Sequence, residues 1–170
     1  MRSTVMKEEE LVLRPITEKD TDLILRWRNS DAVMENFIIR TPLTRQQHEN
    51  WLATKVATGE VEQFIMEAGM PIGSVYLRNV DIQNKTAEYG IFIGEESGRG
   101  KGYGTKALSL MKKFAYEELG LESLYLEVIE TNIKAYAMYE KAGFCVDETR
   151  TRVFAPNGQD IKIFTMVHKR

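Results

Sequence analysis

The chain has 170 residues, 43% apolar and 28% charged, a length that fits one domain and a composition that excludes disorder. Its 23 lysines and arginines nearly balance 25 aspartates and glutamates, so no overall field gathers nucleic acid or an anionic membrane, and any anion site has to be local. Cys145, the only cysteine, excludes an internal disulfide, no apolar run approaches the ~18 residues of a membrane span, and the charged stretch 1–10 lacks the apolar segment of a signal peptide, so the expectation is a cytoplasmic single domain over residues 1–170 with its core at 11–168.

Leu11 to Ile16 alternates as a short strand. Thr17 to Asp20 then reads as a capping box opening a helix that carries Leu23, Ile24 and Trp27. Periodicity fails from Asp31 to Pro42, which reads as a loop; Thr44 with Gln47 opens a second helix through His48, Trp51, Leu52 and Val56. Gln63 to Ala68, Ile72 to Val80 and Thr86 to Ile93 read as three strands of an antiparallel meander.

The second half changes character. A glycine-rich stretch, Gly98 to Gly104, leads into a helix with Ala107, Leu108, Met111, Phe114 and Ala115 on one face, ended by Gly120. A strand at Ser123 to Ile129, a helix from Ile133 to Lys141 closed by Gly143, and strands near Phe144 to Phe154 and Ile161 to His168 complete the chain. The predicted order is βααβββαβαββ, an α/β protein with a mixed sheet. Cys145, at the start of an apolar strand, is expected in the core.

In Arg99-Gly100-Lys101-Gly102-Tyr103-Gly104-Thr105 the glycines come directly before a strong amphipathic helix. Glycine turns backbone N–H groups inward and admits a ligand closely, while the helix N-terminus adds about half a positive charge, so the segment forms an anion cradle flanked by Arg99 and Lys101. Neither the dinucleotide GxGxxG nor the P-loop GxxxxGK[ST] fits it. The glycine loop with its strands and helix, followed by Asn132, Ala135, Tyr139 and Gly143-Phe144, resembles the GCN5-related N-acetyltransferase (GNAT) superfamily. The family's [Q/R]-x-x-G-x-[G/A] falls on Arg99, Gly102 and Gly104, and N-x-x-A-x-x-x-Y-x-x-x-G-F on Asn132 to Phe144.

The resemblance spans 11–168 and implies a mixed, mostly antiparallel central sheet flanked by helices, with strands splayed into an acetyl-CoA cleft. It implies pyrophosphate contacts from Arg99 through Thr105 and a pantetheine arm gripped by Ile91, Phe92 and Ile93, opposite the strand 123–129. It further implies Tyr139 as general acid and Asn132 as a cofactor contact near the thioester; acetyl-CoA is the co-substrate and no metal is expected. From spacing alone, Asn132 and Tyr139 lie on one side of a helix, ~10 Å apart along its axis.

Acyl transfer to an amine needs a neutral nucleophile, a stabilised oxyanion and a proton for the thiolate. A phenol with pKa ~10 is protonated at neutral pH and can donate. For the base, strand alternation offers Glu88 first and Glu127 second, each equally able to point to solvent. Trp27, Arg28, Asn29, His48 and Trp51 are acceptor-side candidates, with His48 also readable as a surface histidine and the tryptophans as packing.

The function expected is direct transfer of an acetyl group to a primary amine of a small molecule, as in the branch of ribosomal-protein N-terminal, spermidine and nucleotide-linked amino-sugar acetyltransferases. The arginines near the first two helices point to a nucleotide-linked amino sugar. A spermidine or other polyamine, a protein N-terminal amine, and a non-catalytic acetyl-CoA sensor are the alternatives. A homodimer is the expected assembly, with neither nucleic acid nor membrane as partner.

Overall fold

The computed structural model describes residues 4–170; the first three residues of the charged N-terminal stretch lie outside it. Its strands are β1 (Met6–Glu8), β2 (Leu11–Pro15), β3 (Glu62–Glu67), β4 (Pro71–Asp81), β5 (Thr86–Ile93), β6 (Ser123–Ile129), β7 (Cys145–Val146), β8 (Arg152–Phe154) and β9 (Ile161–Lys169). The helices are α1 (Thr21–Arg28), α2 (Asp31–Met34), α3 (Arg45–Trp51), α4 (Tyr103–Lys113) and α5 (Ile133–Lys141). Among the described residues these strands form one sheet in the order β1-β2-β3-β4-β5-β6-β9-β7, with β8 also on β9. Every pairing is antiparallel except β5 with β6.

The capping chemistry read from the sequence organises both early helices. Thr17 and Asp20 form a reciprocal box ahead of α1, and Thr44 with Gln47 does the same for α3. Alternation then divides the sheet's two faces. Leu11, Leu13, Phe64, Met66, Val75, Leu77, Ala87 and Tyr89 pack against α4 and α5. Ile65 and Phe92 point the other way, into a smaller cluster with Ile24 and Trp27 of α1 and Val33 of α2.

Three elements depart from the expected order. The charged segment 6–8 is a strand, β1, whose Met6 packs on the core while Lys7 is exposed. The stretch read as loop contains α2, one turn long with Val33 buried. The penultimate strand is split into β7 and β8 by a 3-10 turn at Glu148–Arg150, where Asp147 accepts from the Thr149 amide at 3.1 Å. Cys145 is exposed, correcting its expected place in the core: on a strand at the sheet edge, alternation turns Phe144 inward and Cys145 outward.

Candidate active site

The single parallel ladder is short. β5 and β6 pair at Thr86–Ser123, Ala87–Leu124 and Glu88–Tyr125, and no rung joins Tyr89–Ile93 to Leu126–Ile129. Each strand keeps its other neighbour along this stretch: β4 holds β5 as far as Ile93, and β9 holds β6 as far as Ile129. The strands therefore diverge as two braced walls, and their facing backbone edges suit an amide-bearing arm laid between them.

The glycine loop lies at the open end. Gly102 caps α4 with φ +80°, and Gly100 has φ +72°; a Cβ at either position would meet nothing within 4 Å. These two glycines make the turn and leave open space over it, at the N-terminus of an 11-residue helix, the setting in which backbone amides and helix dipole hold an anion. Gly104 has another role, since its Cβ would sit 3.2 Å from Met138 Sδ: it lets α4 approach α5. Arg99 clasps the strand end, donating from Nε and Nη2 to the Ile93 carbonyl at 3.1 and 2.8 Å. Lys101 is exposed beside it, and the Tyr103 ring lies 5.6 Å from Lys106 Nζ. A groove of about 500 Å³ continues between α4 and α5, lined by Thr105, Ala137, Met138, Glu140 and Lys141. An anion cradle, unpaired strand edges and an adjoining groove fit the diphosphate, pantetheine and nucleoside parts of coenzyme A.

On the α5 side, Asn132 is the helix cap, its Oδ1 accepting from the Ala135 amide at 3.4 Å. Tyr139 is buried, edge-on to Tyr89 with ring centroids 6.1 Å apart. Its hydroxyl has no hydrogen-bond partner among the described residues, and burial, with the Tyr76 phenol adding to it, pushes its pKa above the ordinary value. The phenol is thus held neutral as a donor. The Tyr89 hydroxyl is also unpartnered, and it is fully buried. Ile91 and Ile93 pack toward α4, whereas Phe92 turns to the opposite face against Trp27 and Phe37.

That opposite face carries the remaining polar groups. Register puts Tyr76 across from Gly90, and Arg78, Glu88 and Tyr125 in one row. Glu88 is ion-paired with Arg78 (Nε to Oε2, 2.9 Å), and Glu127 with Arg152 at 2.9 Å, so both candidate bases are already paired. Arg28 lies over the Phe37 ring, 4.1 Å from its centroid, and 5.9 Å from that of Phe92. His48, open to a surface reading, is 2% exposed, on a helix, α3, that packs beside α1.

The other acceptor-side candidates are committed to structure. Trp27 is 1% exposed, donates from Nε1 to Glu95 at 2.8 Å, and covers Gly94. Trp51 donates to Gln63 at 2.9 Å. Asn29 exchanges side-chain hydrogen bonds with both the amide and the carbonyl of Leu43, stapling the loop between α2 and α3. The structure thus gathers Arg28 and His48 near one another and leaves Trp27, Asn29 and Trp51 as scaffold around them. Tyr76, Phe37 and Arg78 escape the sequence reading: register counted back from the turn after β4 would put Leu77 opposite Gly90, and the irregularity between Arg78 and Asp81 brings Tyr76 there instead.

The acetyltransferase (GNAT) domain family matches residues 10–145. The chain belongs to the GNAT family. Membership sets the reaction class, N-acetyl transfer from acetyl-CoA, and makes the protein an acyltransferase. Among GNAT relatives, the spermidine N(1)-acetyltransferase of Escherichia coli K12 is 28% identical over 148 residues, covering 86% of this chain and 79% of that one. An uncharacterized protein of Methanocaldococcus jannaschii is 27% identical over 143 residues, 81% of this chain, which spans only 28% of that protein's length. The Vibrio cholerae spermidine N-acetyltransferase, solved with CoA and spermine, superposes with a TM-score of 0.85 at 23% identity, covering 95% of this GNAT chain and 96% of that one. A dodecameric structure is known for the same Vibrio cholerae enzyme. Among the described residues no helix is long and apolar enough to cross a membrane, and no group of three or more His, Cys, Asp or Glu could hold a metal.

Proposed function

We propose that residues 1–170 act as one acetyltransferase domain that carries out direct transfer from acetyl-CoA to a primary amine of a small molecule. The observation that carries this reading is the divergence of β5 and β6 beyond Glu88 and Tyr125, with the Tyr139 hydroxyl unpartnered on one side and Tyr76 on the other. Bound acetyl-CoA supplies the acyl group. Arg99 through Thr105 hold the diphosphate, and Ile91 to Ile93 offer backbone groups to the pantetheine arm. Asn132 caps α5 and orients it near the thioester end. Tyr139 donates from its hydroxyl to the departing sulfur, and Glu88 takes the amine proton by way of water while Arg78 fixes its carboxylate, with Glu127 the second choice.

The Escherichia coli and Vibrio cholerae relatives support a polyamine acceptor, ahead of the nucleotide-linked amino sugar expected from sequence. A second reading, an amine bearing an anionic group, is favoured by Arg28, which has no carboxylate partner among the described residues. The dodecameric relative supports a homo-oligomer larger than a dimer, and the free Cys145 supports a reducing, cytoplasmic setting. Purified protein incubated with acetyl-CoA and spermidine, spermine, amino sugars or peptides, with thiol release recorded, tests the reading. Turnover of a small primary amine is expected; release that no amine accelerates would exclude acetyl transfer and leave the sensor alternative.

A further inference from the structure

Arg28 stands apart from the other arginines around the sheet's acceptor face, all of which have acceptors: Arg40 donates to the Glu35 and Phe37 carbonyls, and the rest are held by carboxylates. Arg14 is held by Asp20 and Glu67, Arg26 by Glu95, Arg78 by Glu88 and Arg152 by Glu127. Arg28, in the last turn of α1, has no ion pair among the described residues, and its Nε is buried without a hydrogen-bond partner. The Phe37 ring covers one face of its guanidinium, which leaves the N–H edge as the reactive side. Burial presses its pKa down; the Tyr76 phenol opposes that and Arg78 adds to it.

A second buried group lies nearby. His48 is 2% exposed, its Nε2 has no partner, and its pKa is lowered first by burial and then by the Arg28 charge, with Asp20 opposing and Arg45 adding. Two unsatisfied buried polar atoms in electrostatic range of each other are costly in a folded protein unless a ligand or water completes them. An oxyanion answers both: a planar guanidinium edge binds phosphate or carboxylate oxygens, and an imidazole N–H adds a donor. A polycation would meet an uncompensated positive charge instead. Tyr76, which Arg28 senses, covers Gly90 on the divergent part of β5, so the pair borders the space an amine must enter to reach the cleft.

Resting on the acetyltransferase reading above, we propose that Arg28 and His48 form an anion subsite that takes a phosphate or carboxylate group carried by the amine acceptor. Glucosamine, glucosamine 6-phosphate, glucosaminic acid and spermidine form a test set in which the charge accompanying the amine is the variable. At least one of the two anionic amines is expected to exceed glucosamine in kcat/KM by roughly 10-fold or more, the worth of one charge-assisted contact. The phosphate and carboxylate arms separate the two sources of the anion. Arg28→Lys should lower the anionic-to-neutral ratio severalfold and Arg28→Gln should abolish it, with thermal melts reporting whether each variant folds.

A second readout is independent of turnover. Inorganic phosphate titrated into the wild-type protein should move the His48 ring resonances saturably, which chloride at equal ionic strength should not, and Arg28→Lys should weaken the response. The inference is overturned if glucosamine or spermidine is acetylated at least as well as both anionic amines, or if phosphate leaves His48 unmoved. Where none of the four amines is a substrate, the phosphate titration decides alone. Failure of acetyl-CoA to bind in calorimetry would instead remove the acetyltransferase reading on which the subsite stands.

Discussion

Tyr76 and Gly90 face one another on adjacent strands so closely that a Cβ at position 90 would lie 2.3 Å from the tyrosine Cζ. The phenol occupies the room that any other residue would need, and the acceptor side of the cleft takes its shape from it. Gly90→Ala must displace the ring. The expected result is an acceptor KM raised about 5- to 10-fold with a stability loss of about 1–3 kcal/mol from overpacking, read by steady-state kinetics and urea unfolding.

Tyr139→Phe separates chemistry from packing. The hydroxyl has no partner to lose, so melting should hold or rise slightly. If the phenol donates to the departing sulfur, kcat falls by about 100-fold, while calorimetry gives an acetyl-CoA Kd altered far less. Unchanged kcat would remove the assigned role.

The two kinds of glycine in the loop predict different failures. Gly102→Ala places a methyl group over open space at φ +80°, which costs about 1–2 kcal/mol of backbone strain and intrudes where the diphosphate is proposed to lie. Gly104→Ala presses on Met138. CoA affinity should drop markedly more for the first than for the second, whose deficit should appear mainly in the thermal melt.

Arg99→Ala releases the Ile93 carbonyl, so the end of β5 and the loop after it lose their clasp. Amide exchange should quicken across residues 93–103, and the Kd for CoA should rise by about 10-fold, near the worth of one charge-assisted contact. Exchange as slow as in the wild type would show that the clasp is dispensable.

His48 gives the protein an acid-side pH dependence. Burial, reinforced by Arg28, holds its imidazole below the ordinary value, and burial with Lys112 does the same to His168. The unfolded chain takes up these protons as pH falls through about 6.5, before the folded protein does, so stability is present above that pH and lost below it. Urea midpoints should fall from pH 7.5 to 5, and fall less steeply in His48→Gln.

Much of this fold is legible because its signals are local. The boxes at Thr17 and Thr44, the periodicity of α4, and the glycines after α4 and α5 each act within a few residues. β1 escapes detection because Met6 is the one apolar residue of its three. The cofactor half of the site is legible for the same reason as α4: a glycine turn and a helix start are contiguous in sequence. The acceptor half is assembled from α1, α3, β4 and β5, and which arginine lacks a carboxylate depends on partners 6 to 69 positions away. Trp27 illustrates the difficulty, since nothing in the residues around it announces that Gly94 and Glu95 receive its indole.

Among the described residues, three rungs between β5 and β6, with the Lys85 carbonyl beside them accepting from the Glu122 and Ser123 amides, form the hydrogen-bonded seam between the five strands at one edge of the sheet and the four at the other. A molecule stitched along so little of its length relies on whatever enters the gap to act as mortar. Occupancy and mechanical cohesion become the same property, so the empty enzyme should be the form that heat, proteases or pulling force divide first.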